Sequence, residues 1–230
     1  MNIPVALLLF TFALNPFAMG APTPAGNSKW EALVQKKLTV SSPKPDAIIC
    51  IGSSHMERWK TVTTDLAPLT VYNHGIGGST MKHAAELFIP KLAIPFKPRA
   101  VILYEGSNDI NAGVTPEQIL ERFKELHRQI HNALPKTRLY VLGIVPSPGK
   151  RFNKWEAIQQ ANQAIKQECA TEPWMKFIDT TTPLLGADGQ PKAEYFIPED
   201  IHMLPEGYKV WTGVIAPVVV EAEKEFEPKP

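Results

Sequence analysis

Five short apolar runs recur along the chain, and the stretches between them carry apolar residues at helical spacing. The runs are Asp46–Gly52, Leu69–Asn73, Ala100–Tyr104, Arg138–Val145 and Met175–Asp179. A continuous apolar run that ends at a turn residue is typical of a strand buried on both faces in a parallel sheet. Because such strands alternate with helices here, the pattern predicts a parallel α/β sheet covered on both faces.

Capping residues predict where the helices begin. A capping box at Ser28–Glu31 predicts a helix that starts there and runs to about Leu38. A second box, Thr115–Gln118 with a proline at the first helical position, opens a helix that Pro135 ends. Apolar residues at helical spacing mark two later helices: Trp155, Ile158, Ile165 and Cys169 in one, and Val210, Trp211, Val214 and Val218 in a last helix from Pro205.

The first 20 residues resemble an export signal. An apolar run from Ile3 to Leu14 is followed by Pro16 and by the small residues Ala18 and Gly20. We therefore expect a cleaved signal peptide over residues 1–20, an entry segment with one helix over 21–45, and a single α/β domain over 46–230. An uncleaved anchor is the alternative, but the run is short for a membrane span. The expected location is the periplasm or the exterior.

Charge and cysteine content narrow the possible functions. The 24 basic residues nearly balance the 23 acidic ones without a basic cluster, so binding to nucleic acid or to an anionic membrane surface is not expected. No stable membrane insertion is expected after signal cleavage. Cys50 and Cys169 fit buried free cysteines better than a disulfide, which stays the alternative in an oxidising compartment. His127 and His131 lie four residues apart but lack a third ligand, so no metal or cofactor is predicted.

Four segments place reactive side chains after predicted strands or before the last helix. They are Gly52–His55, Asn73–Thr80, Tyr104–Asp109 and Glu199–Tyr208. In an open parallel sheet the carboxyl ends of the strands form the usual active-site edge. Acyl transfer needs a nucleophile, a base, an acid that orients the base, and donors for the oxyanion. The four segments contain residue types for each of these parts.

In order and approximate spacing, these segments resemble the sequence blocks of the SGNH (GDSL-like) hydrolase superfamily, over about 46–211. The family's first block is Gly-Asp-Ser, so the match of Gly52-Ser53-Ser54 implies that Ser54 is the nucleophile. The resemblance implies an oxyanion hole formed by Ser54, Gly78 and Asn108, with His202 as the base. It also implies a three-layer α/β/α sandwich with a five-stranded parallel sheet of the flavodoxin-like type.

The acid position departs from the family pattern. The last family block is Asp-x-x-His, whereas this chain has Glu199 three residues before His202 and Asp200 immediately after that glutamate. Register favours Glu199 as the acid, with Asp200 as the alternative.

The predicted function is a serine ester hydrolase, an acylhydrolase or acetylesterase acting through an acyl-enzyme on Ser54. Export favours an extracytoplasmic carbohydrate or lipid ester as substrate. An acyltransferase on the same site is one alternative, and a non-catalytic carbohydrate-binding module on a decayed hydrolase scaffold is another. The sequence contains no signal for an oligomeric state.

Overall fold

The computed structural model describes residues 25–227, and five parallel strands form its centre in the order β2-β1-β3-β4-β5. The strands are β1 (Ile48–Gly52), β2 (Val71–Asn73), β3 (Ala100–Tyr104), β4 (Arg138–Leu142) and β5 (Met175–Ile178). In the central register, Ile48 of β1 aligns with Val71 of β2 and with Ala100 of β3. The predicted five-stranded parallel sheet is confirmed, in the flavodoxin-like order. The expected signal peptide, residues 1–20, lies outside the described residues.

Helices connect the strands and cover the sheet. They are α1 (Ala25–Val40), α2 (Ser54–Arg58), α3 (Val62–Asp65), α4 (Met81–His83), α5 (Ser107–Asn111), α6 (Pro116–Ala133), α7 (Trp155–Cys169) and α8 (Pro205–Glu223). Helix α4 continues without a break into a π-helical segment, Ala84–Ala93, which the sequence patterns do not predict. Short 3₁₀ turns occupy Ile94–Phe96, Gly149–Lys154, Thr182–Leu184, Ala193–Tyr195 and Lys224–Phe226.

The core consists of two apolar layers, one on each face of the sheet. Successive strand residues point to opposite faces, so Ile49 and Ile51 contribute to one layer and Ile48 and Cys50 to the other. Helices α1, α6 and α7 and the π-helical segment pack in the first layer, whereas α2, α3 and α8 pack in the second. Cys50 and Cys169 belong to different layers and both are free, which confirms the expectation for the cysteines.

Two boundaries differ from the sequence prediction by three residues. Helix α1 begins at Ala25 instead of Ser28, so Ser28 lies inside the helix and not at its start. Strand β4 ends at Leu142 instead of Val145, because both backbone groups of Ile144 bond the side chain of Asn162, at 2.8 and 2.9 Å. That amide replaces a strand partner and turns the chain away from the sheet.

An ion cluster fastens the end of α8 to the amino ends of the central strands, opposite the predicted site. Glu223 is fully buried and accepts hydrogen bonds from Arg99 Nε at 3.1 Å, Arg138 Nη2 at 2.6 Å and Tyr140 Oη at 2.6 Å. Since these donors flank or lie in β3 and β4, the cluster locks the last helix onto the sheet.

Within residues 25–227, none of the helices combines the length and apolar character that a membrane crossing requires.

Candidate active site

The candidate nucleophile lies where β1 passes into α2. Ser54 is the first residue of α2 and is partly exposed, directly after the buried Ser53. The chain can turn here because Gly52 has no side chain: a Cβ at this position would lie 2.5 Å from the carbonyl oxygen of Tyr104. Ser54 thus lies at the carboxyl edge of the sheet, just beyond the point where Gly52 at the end of β1 pairs with Tyr104 at the end of β3.

His202 meets Ser54 at that edge, across 148 positions of sequence. The distance between His202 Nε2 and Ser54 Oγ is 2.9 Å, and 15% of the His202 side chain is exposed. The loop that carries this histidine is fixed by backbone bonds from Ile197 N to His202 O and from Leu204 N to Tyr195 O, both 2.9 Å. A hydroxyl and an imidazole at this separation are in position for proton transfer.

The carboxylate beside His202 is that of Asp200, which corrects the sequence-based preference for Glu199. Asp200 Oδ1 lies 2.8 Å from His202 Nδ1 and also accepts a hydrogen bond from Ile201 N at 2.6 Å. Glu199 has a left-handed backbone, with φ +58°, and it lines a cavity of about 520 Å³ together with Phe196 and Pro198. The family spacing favoured Glu199, three residues before His202, but this loop brings the carboxylate of Asp200, two residues before His202, to the imidazole ring.

The surroundings of the site favour a charged Asp200 carboxylate and a neutral His55 imidazole. Burial opposes ionisation of Asp200, but the hydrogen bonds from Ile201 and His202 outweigh it and hold the pKa of the carboxyl below its usual range. His55, next to Ser54, is fully buried and donates from Nε2 to Ile201 O at 3.1 Å. Burial lowers the pKa of His55 to about 3, so this ring, 5.5 Å from that of His202, stays neutral.

The glycine-rich loop after β2 passes beside Ser54. A Cβ on Gly77 would lie 3.7 Å from Ser54 Cβ and 2.6 Å from a carboxylate oxygen of Glu57. The next residue, Gly78, has φ +81°, a conformation that glycine adopts without strain. A side chain at Gly77 would displace the Glu57 carboxylate at the position where the loop approaches the nucleophile.

Asn108 joins the same region from the loop after β3. Its Nδ2 donates a hydrogen bond to the carbonyl oxygen of Ser79 at 2.8 Å. An amide nitrogen carries two hydrogens, so one stays available for another acceptor. The structure thus brings together five residues singled out in the sequence: Ser54, Gly78, Asn108, Asp200 and His202.

Helix α1 adds a wall that the sequence patterns do not predict. The indole of Trp30 reaches within 4.0 Å of a Cβ built on Gly78, and its ring centroid is 4.0 Å from that of His83. An ion pair between Glu31 and Lys91, at 2.5 Å, holds α1 on the π-helical segment. Trp30 packs against the first apolar layer, on the face of the sheet opposite α8.

Two tryptophans and a histidine outside the site take part in packing and hydrogen bonding. Trp59 and Trp211 are fully buried in the second apolar layer. His127 Nε2 bonds Glu168 Oε1 at 2.9 Å. Among residues 25–227 no group of three His, Cys, Asp or Glu side chains is arranged to hold a metal ion.

Sequence reasoning also missed Glu105, although a signal was present. It directly follows the buried strand β3, within a segment already singled out, and its carboxyl is only 2% exposed. A carboxylate at the end of a buried parallel strand is unusual enough to be a candidate. No comparable signal marks Trp30, because its role depends on how α1 docks.

Comparison with known proteins places the fold and the family. The model of the GDSL-like lipase/acylhydrolase family matches residues 49–210. A human relative, platelet-activating factor acetylhydrolase IB subunit alpha1, is 26% identical over 178 residues, which cover 73% of this chain and 75% of that protein.

Solved structures have the same fold. A GDSL-like lipase from Bacteroides thetaiotaomicron aligns with a TM-score of 0.71 at 15% identity, covering 85% of this chain and 98% of that one. A family 3 carbohydrate esterase from Talaromyces cellulolyticus aligns with a TM-score of 0.58 at 18% identity, covering 78% and 99%.

Proposed function

Because this chain belongs to the GDSL-like lipase/acylhydrolase family and is an ester hydrolase, we propose that it acts through an acyl-enzyme on Ser54. The observation that carries the proposal is the continuous chain of contacts from Ser54 Oγ through His202 to Asp200, at 2.9 and 2.8 Å. Such a chain is the arrangement that activates a serine hydroxyl at neutral pH.

The proposed reaction proceeds in two halves. His202 Nε2 takes the proton of Ser54 as Oγ attacks the ester carbonyl, while Asp200 accepts a hydrogen bond from Nδ1 and stabilises the imidazolium. The oxyanion is bound by the backbone N–H groups of Ser54 and Gly78 and by the free N–H of Asn108. The carbon–oxygen bond to the alcohol breaks as His202 returns the proton to that oxygen. Water then repeats the sequence on the acyl-enzyme and releases the acid.

We propose a short acyl group, such as acetyl, on a carbohydrate or lipid alcohol. The leaving alcohol must face His202, which protonates it, so the acyl group is directed away from His202. We propose that Trp30, whose indole comes within 4.0 Å of a Cβ built on Gly78, restricts the room for that group. The human relative is by name an acetylhydrolase, and one structural neighbour is a carbohydrate esterase, which agrees with this substrate class.

Labelling with a fluorophosphonate probe tests the nucleophile, and Ser53 supplies a matched control. Ser53 is 1% exposed and its hydroxyl has no hydrogen-bond partner within residues 25–227. We expect Ser54→Ala to abolish labelling and hydrolysis of p-nitrophenyl acetate, whereas Ser53→Ala keeps both. Labelling of Ser54→Ala at the wild-type rate would refute the assignment, and an inert wild type would favour a binding module.

A panel of acetyl, butyryl and long-chain esters, run beside acetylated polysaccharides, tests the substrate. We expect kcat/KM to be highest for acetyl esters. A maximum at long acyl chains would refute the proposed acyl preference.

We also propose that the reaction takes place outside the cytoplasm, on the basis of the leader-like pattern of residues 1–20. Expression of the full chain, fractionation and N-terminal sequencing test this. The expected result is an extracytoplasmic protein that begins close to Ala21. A cytoplasmic protein with an intact leader would refute the proposed location.

A further inference from the structure

A second carboxyl group, that of Glu105, lies beneath the glycine-rich loop. Ser79 Oγ donates to Glu105 Oε1 at 2.5 Å, and both residues are buried, with 0% of Ser79 and 2% of Glu105 exposed. Glu105 follows β3 and Ser79 follows the glycines of the loop after β2. This hydrogen bond therefore joins the two loops that supply the proposed oxyanion donors.

The surroundings of Glu105 favour its neutral form. Its Oε2 has no hydrogen-bond partner within the described part of the chain. The neighbouring carboxylate of Asp109 is paired with Arg122 at 2.8 Å, and it adds negative charge near Glu105. Burial without a cation partner raises the pKa of Glu105 well above its usual range, which favours the protonated form.

Ser79, which bonds Glu105, also orients the side-chain amide of Asn108. While its hydroxyl bonds Glu105, its carbonyl oxygen accepts the hydrogen bond from Asn108 Nδ2 at 2.8 Å. One N–H of the amide is thereby fixed, which fixes the direction of the other. Asp109 holds the loop at a second point, since Met81 N donates to its Oδ2 at 2.9 Å.

We propose that Glu105 is a positioning residue for ester hydrolysis, which holds Ser79 so that the Asn108 amide points at the developing oxyanion. The inference rests on the proposed function. Since the oxyanion forms only as the serine attacks, loss of this support lowers kcat and leaves KM nearly unchanged.

The test compares Glu105→Gln, Glu105→Leu and Ser79→Ala with the wild-type protein. The glutamine amide oxygen can still accept from Ser79, so we expect kcat within about threefold of wild type. Leucine fills a similar volume without an acceptor, and we expect a loss of kcat of about tenfold or more, below the 10²–10³-fold typical of deleting an oxyanion donor. Ser79→Ala is expected to resemble Glu105→Leu, with KM within about twofold in every case.

A double-mutant cycle with Asn108→Ala separates positioning from general destabilisation. If Glu105 acts through Asn108, Glu105→Leu costs less than about twofold in the Asn108→Ala background. Equal losses in both backgrounds would overturn the proposal, as would full activity of Glu105→Leu. If Glu105→Leu does not fold, the same cycle with Ser79→Ala decides.

A buried hydrogen bond far from the site provides the control. Thr137 is 2% exposed, and its hydroxyl donates to Pro98 O at 2.6 Å at the opposite edge of the sheet. Thr137→Val is expected to lower thermal stability without changing kcat. A wild-type protein that hydrolyses no ester would refute the proposed function itself, whereas an active wild type with an unaffected Glu105→Leu variant would refute only the role of Glu105.

Discussion

The pair Asp200→Asn and Glu199→Gln tests which carboxylate supports the base. Each substitution removes one negative charge with little change in shape, and the two residues are adjacent in one loop. Only Asp200 contacts the imidazole, 2.8 Å from Nδ1. We therefore expect a large loss of kcat in the first variant and less than about a twofold change in the second.

The magnitude follows from the distance and the exposure. Two unit charges 2.8 Å apart attract by about 1.5 kcal/mol at the dielectric constant of water and by about 6 kcal/mol at an effective value near 20. The Asp200 side chain is 38% exposed, so solvent screens the pair and the lower half of this interval applies. A loss of about 2–4 kcal/mol in transition-state stabilisation corresponds to about 30- to 1,000-fold in kcat.

The assay is steady-state hydrolysis of p-nitrophenyl acetate, with fluorophosphonate labelling rates as a second readout that does not depend on deacylation. Thermal melting of both variants confirms that they are folded. If Glu199→Gln loses as much activity as Asp200→Asn, or more, the assignment of the acid from this geometry is refuted.

Three further predictions concern stability and selectivity. His55 binds its proton near pH 6.5 when unfolded but near pH 3 when folded, so its contribution to stability is present above pH 6.5 and is lost as the pH falls. In urea unfolding, the free energy of unfolding should therefore be about 2–3 kcal/mol lower at pH 4.5 than at pH 7.5, and this difference should shrink in His55→Gln. Glu223→Gln breaks the buried ion cluster and should lower the free energy of unfolding by about 3–5 kcal/mol in denaturant melts, with kcat unchanged. Glu221→Gln, at an exposed position, should cost less than about 1 kcal/mol, and equal costs would contradict the buried network. Trp30→Ala should raise the preference for butyryl over acetyl esters about tenfold, a change that Leu38→Ala, elsewhere on the same helix, should not produce.

The strands and the long helices could be predicted because their signals are local. An apolar run such as Ala100–Tyr104 has the same boundaries in the sequence and in the structure. The capping box at Thr115 also places α6 correctly, since the reciprocal bonds between Thr115 and Gln118 form within four residues.

The remaining features depend on contacts between distant segments. Asn162 of helix α7, 18 positions beyond Ile144, bonds that residue and ends β4, so no pattern within the strand marks the boundary. The choice between Glu199 and Asp200 depends on the backbone angles of an irregular loop, and a family spacing does not define them. The π-helical segment contains Pro90, which normally argues against a helix interior.

Trp30 and His202 lie near opposite ends of the chain: the histidine bonds Ser54, and the indole comes within 4.0 Å of a Cβ built on Gly78 in the loop beside that serine. In the proposed mechanism the two ends therefore have different roles: the segment with His202 supports turnover, and the first helix limits which acyl groups fit beside Gly78. Trimming the chain to residues 49–210, the part that the family model matches, would keep Ser54, Asp200 and His202 while removing the indole. Under the proposed function, such a trimmed chain would keep the reactive groups and discriminate less between acyl groups.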